Sequence, residues 1–79
     1  MSPVVLRSGK YEVVIYTRDH APAHAHVKSA EKEARIGLNP VEVLNNWGFR
    51  PGEIRAILKL VQTHQRDLSD KWNEFHSGE

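Results

Sequence analysis

Cysteine is absent from the 79 residues, which excludes disulfides and any thiolate metal ligand or thiol nucleophile. No apolar run approaches the roughly 18–20 residues that span a bilayer, and no basic segment opens the chain as in a secretory signal. A cytoplasmic protein with no membrane segment is therefore expected. Charge of one sign is also lacking: a net charge of +1 gives the molecule no strong field for nucleic acid. The slight asymmetry, six Lys/Arg against four Asp/Glu in residues 1–38, makes the N-terminal half the more anion-facing one. There is no glycine-rich phosphate loop, no Gly-x-Ser-x-Gly turn and no helix-turn-helix charge pattern. A chain this short forms one domain, spanning residues 1–79, and buries only about 60% of its unfolded surface. A partner or self-association as a homo-oligomer would help it.

What the chain does hold is histidine. Three of its five histidines, His20, His24 and His26, fall within seven residues, flanked by Asp19 and interrupted by Pro22. Imidazole is the side chain whose ordinary titration range lies nearest neutral pH, so such a cluster points to acid–base chemistry, a metal site or a pH-dependent contact. His24 and His26 are two residues apart. On a strand they share a face, roughly 6.5–7 Å apart along the backbone.

Period-two patterning covers the first half. Val4 to Arg7 is a short apolar run ended by the turn dipeptide Ser8-Gly9. Tyr11 to Thr17 reads as the second strand of a hairpin, with Tyr11, Val13, Ile15 and Thr17 facing the core. His24–Ser29 and Glu33–Leu38 are the third and fourth strands, with Ala34, Ile36 and Leu38 inward. The open face then carries Tyr16, His24, His26, Lys28, Glu33 and Arg35. Helical signals follow: Asn39 as N-cap and Pro40 at the first position start a short helix to Trp47, stopped by Gly48. Pro51 opens a second helix running to Phe75, along which Ile54, Ile57, Leu58, Val61, Leu68, Trp72 and Phe75 form one apolar stripe. Trp47 and Phe49 are expected core anchors, His64 a boundary residue, and His76 a residue that suits the helix C-terminus when charged. The expected fold is α+β: a four-stranded, mainly antiparallel sheet with two C-terminal helices on one face.

The segments His20-Ala21-Pro22-Ala23-His24-Ala25-His26-Val27, Pro40-Val41-Glu42-Val43, Gly48-Phe49-Arg50-Pro51 and Trp72-Asn73-Glu74 resemble those of a small bacterial family. It is catalogued as domain of unknown function number 4160, and its signature is His-x-Pro-Pro-His-x-His-Val. The likeness covers nearly the whole chain. Ala23 replaces the second proline of the signature, and Arg50 replaces the Ser that would cap the last helix, at a cost of about 1 kcal/mol. The resemblance implies a small prokaryotic α+β protein encoded beside another small gene, in an arrangement like a toxin–antitoxin pair. The neighbouring gene's product would be its protein partner.

Three readings of the cluster follow. In a metal-independent ribonuclease, His24 and His26 act as base and acid, with His20 beside them. Lys28 or Arg35 supplies the cation for the phosphorane and Tyr16 a stacking surface for RNA. In a zinc site, His20, His24 and His26 give three nitrogens and leave a position for water, with Asp19 orienting a ligand. In a binding module without chemistry, the histidine loop or an edge strand docks a protein. The ribonuclease with no cofactor, acting as the toxin-like member of its pair, is the expectation carried forward.

Overall fold

Short connections dictate the topology. Each run of alternating residues up to Trp47 turns back on its predecessor, through two-residue turns in three cases and a nine-residue loop before His24, and an antiparallel meander results. The computed structural model describes residues 4–76. Strands β1 (Val4–Ser8), β2 (Tyr11–Val14), β3 (His24–Ser29), β4 (Lys32–Leu38) and β5 (Val41–Trp47) lie side by side in sequence order. Helices α1 (Pro51–Thr63) and α2 (Gln65–Phe75) follow. All four strand pairs are antiparallel.

The sheet has five strands, not four, because the segment expected as a helix from Pro40 to Trp47 is β5. Asn39 and Pro40 form the turn of a hairpin instead of a cap and first helical position. Two valines and two asparagines make the segment a poor helix former, and β4 offers it an open edge to pair with. Gly37 makes the hairpin possible. A Cβ there would lie 3.0 Å from the Pro40 carbonyl oxygen, a backbone atom that cannot swing aside.

Two helices do follow the sheet, but the expected single helix over 51–75 breaks at His64. The His64 ring Nδ1 lies 3.0 Å from the Leu60 carbonyl, which its own N–H also approaches at 3.2 Å, and its backbone leaves helical geometry at φ −109°, ψ 17°. At the start of α1, Glu53 accepts the Arg50 N–H at 3.0 Å. Arg50 has no acceptor to return the bond, so the capping box is half made.

The helices cover one face. Val13, Ile15, Ala25, Val27, Ala34, Ile36 and Leu38 from the sheet side pack with Phe49, Ile57, Val61, Leu68 and Trp72. β2 stops at Val14, three residues earlier than expected: Ile15 still reaches the core, while Thr17 is exposed. Trp47, expected as a core anchor, is 52% exposed, because its place on β5 puts it opposite Glu33, on the register of the face away from Ala34 and Ile36. No helix among the described residues is long and apolar enough to cross a membrane.

Candidate functional site

After Val14 the chain leaves the sheet, makes a nine-residue excursion and re-enters at His24. Pro22 cannot contribute an N–H to a ladder, which favours a loop here. The loop is tied down at its far end, where the Leu38 N–H donates to the Ala23 carbonyl at 3.0 Å. It places Asp19 over the first residues of β3. There Asp19 Oδ2 lies 3.0 Å from His24 Nε2 and 3.0 Å from His26 Nε2.

The other ring nitrogens are engaged too. His24 Nδ1 lies 2.8 Å from the Pro22 carbonyl oxygen and His26 Nδ1 lies 2.7 Å from Glu33 Oε2. A carbonyl or carboxylate oxygen only accepts, so each Nδ1 carries the hydrogen. Asp19 Oδ2 likewise only accepts, so each Nε2 contact is an ion pair in which a charged ring donates its Nε2–H, or a place where a cation substitutes for that hydrogen. Asp19, His24 and His26 thus offer one ligand atom each, all within 4.8 Å of one another. Two ligand atoms about 2.1 Å from a common ion stand roughly 3.0–3.4 Å apart in octahedral or tetrahedral arrangement. The two N–O separations fall at the near end of that range, and the two nitrogens stand within 4.8 Å of each other, so the rings would close on an ion.

The surroundings hold the rings in place. His24 is 3% exposed, with its ring centroid 5.1 Å from that of Trp72. His26 meets the edge of Tyr16 at 4.8 Å. The end of α2 braces the loop: the His76 ring stacks on Trp72 at 3.8 Å, and its Nε2 lies 3.0 Å from the Asp19 carbonyl oxygen. Lys28 donates to the Tyr16 hydroxyl, and this bond holds the ammonium group above the usual lysine range. Arg35 stands opposite His26 in the β3–β4 register, and its Nε is buried with no hydrogen-bond partner among the described residues.

Four expected site residues, Tyr16, His24, His26 and Arg35, therefore lie together, with Lys28 held against Tyr16. His20 does not join them. It is exposed, while its half-buried neighbour Asp19 faces the two rings. The third potential ligand is Asp19, read from the sequence only as an outer orienting group. Glu33 and His76 were not expected as site residues. Glu33 had a legible signal, since strand pairing puts it on the histidine face. His76 had none, lying 57 positions from the residue it touches.

Searches of curated proteins and of solved structures return no match. A family model does match, over residues 11–73, a span that takes in the loop, both site histidines, Glu33 and Trp72. The chain belongs to the family described as Domain of unknown function (DUF4160).

Proposed function

We propose that this chain is a metal-dependent hydrolase of RNA, the toxin-like member of a two-gene module, with a zinc-class ion held by Asp19, His24 and His26. One observation carries the metal part of the reading. Both Nδ1 atoms are occupied by oxygen acceptors, which leaves the two Nε2 atoms, each 3.0 Å from the same Asp19 oxygen, as the nitrogens available to an ion. Ligating histidines characteristically donate their second N–H in this way, to a carbonyl or a carboxylate. Two imidazoles and a carboxylate suit zinc, and with open positions also ferrous iron. Three protein ligands would leave room for a water, and a bound zinc-class ion would supply from it a nucleophile near neutral pH for a phosphodiester. Arg35, beside His26, is the cation placed to meet a phosphate oxygen. The RNA substrate and the gene-pair setting rest on the family likeness and on these basic and aromatic neighbours.

The metal-independent reading has one observation in its favour: a single Asp19 oxygen contacts both rings and would orient an acid–base pair. It also asks a substrate to reach nitrogens that already face Asp19, one of them on a buried ring. Chelation separates the two. RNA cleavage by the purified chain is expected to vanish in EDTA and return with added zinc or ferrous iron. Cleavage that persists in chelator with a bell-shaped pH profile would establish the His24/His26 pair instead. An absence of cleavage in both would leave a polar cluster that fixes the loop for binding.

A further inference from the structure

A second feature shares no residue with the histidine cluster. A cleft of about 420 Å³ runs between edge strand β1 and helix α2. Val5, Leu6 and Leu68 line it with apolar surface, and Asp67, Asp70 and Glu74 are its acidic residues. A bulge between Val4 and Leu6 breaks the β1 alternation, which lets the adjacent residues Val5 and Leu6 both pack toward the core. Lys71 is the cation among the lining residues and sits 3.4 Å from Glu74. The side chains of Asp67 and Asp70 have no hydrogen-bond or ion-pair partner among the described residues. Asp67 suits the first turn of α2. Asp70, in the middle of the helix, has no such reason to be there.

Among the described residues, the outer edge of β1 is open from Val5 to Ser8. β1 pairs with β2 and with no other described strand. An open edge presents a row of backbone donors and acceptors to which an extended segment can add, with pockets beside it selecting alternate side chains. Here the pocket is apolar and its rim carries a net negative charge, which repels nucleic acid and favours a basic strand. A second copy fits poorly. Its own β1 would bring Arg7 as the basic residue, already bound to Glu12 at 3.2 Å.

We infer that the β1 edge and the β1–α2 cleft dock an extended, basic-apolar segment of a partner protein. The segment adds as a sixth strand, seats an apolar side chain against Val5, Leu6 and Leu68, and sets lysine or arginine beside Asp67 and Asp70. The inference does not depend on the metal site, and its failure would leave that site untouched.

The test uses the full chain and two synthetic seven-residue peptides, one with lysine, leucine and lysine at the second, fourth and sixth positions, which share one face of a strand, and threonine elsewhere, the other with glutamate in place of each lysine. In an NMR titration the lysine peptide is expected to bind one to one, with the largest shifts at Val5, Leu6 and Leu68. It should bind at least about tenfold more tightly than the glutamate peptide and weaken as salt rises from about 50 to about 500 mM. The double variant D67K/D70K should lose about tenfold or more toward the lysine peptide. If that variant is not folded by circular dichroism, Asp70→Asn alone should give a smaller loss in the same direction. Equal binding of the two peptides, shifts confined to other strands, or no effect of the folded Asp variants would overturn the inference. So would concentration-dependent dimerisation through the same residues without peptide, which would give the edge to a second copy.

Discussion

Glu33 Oε2 lies 2.7 Å from His26 Nδ1, across the β3–β4 ladder and on the face away from the core. The contact places a hydrogen on His26 Nδ1 and leaves Nε2, the atom that faces Asp19, as the nitrogen available to an ion. Glu33 thereby acts on the candidate metal centre without touching the ion.

Removing that acceptor should loosen the centre and leave the fold in place. Glu33→Ala is expected to reduce zinc affinity by about 10–100-fold, measured by competition with a zinc-sensitive chromophore. Glu33→Gln, whose amide oxygen still accepts from Nδ1–H, should recover part of the loss. Equal affinity in all three proteins would show that Glu33 has no part in setting the ligand.

The two tryptophans should behave in opposite ways. Trp72 is 8% exposed, packs in the core and meets the rings of both His24 and His76. Trp72→Ala is expected to cost about 3–5 kcal/mol in denaturant unfolding. Trp47 is 52% exposed on edge strand β5, and Trp47→Ala should cost less than about 1 kcal/mol. A large loss at Trp47 would mean that it is covered in solution.

Acid should weaken the junction between α1 and the first two hairpins. Glu53 accepts the Arg50 N–H and binds Lys10 at 2.7 Å and Lys32 at 3.1 Å, contacts that pull its carboxyl down to about 2. A carboxylate held below its unfolded value adds stability that is present above that value and lost as pH falls through the folded one. The window therefore runs from about pH 4.5 down to about 2. Thermal melts of wild type and Glu53→Gln are expected to differ at neutral pH and to converge across this window. Parallel curves throughout would contradict the assignment.

The parts of the fold legible in sequence were those set by local periodicity. His24–Ser29 forms as read, and Ala25, Val27, Ala34, Ile36, Ile57, Val61 and Leu68 are buried where their spacing put them. β5 was not legible, because Asn39-Pro40 before a short mixed segment also makes a good helix start. The weak helix propensity of its valines and asparagines tips the balance only once the open edge of β4, a tertiary fact, is there to pair with. The site divides along the same line. His24 and His26 share a face by strand geometry alone. The choice of Asp19 over His20 turns on a loop conformation that adjacent residues in a sequence do not reveal. The brace from His76 depends on where the end of α2 lands.

The composition of the cluster is the central claim, and metal stoichiometry tests it most directly. Purified, untagged chain loaded with zinc, dialysed and subjected to elemental analysis should retain about one ion per molecule. His20→Ala should retain the same amount, since His20 stands outside the cluster, while Asp19→Ala and His24→Ala should retain little. Zinc lost in His20→Ala but kept in Asp19→Ala, or no zinc held by the wild-type chain at all, would contradict the Asp19–His24–His26 centre.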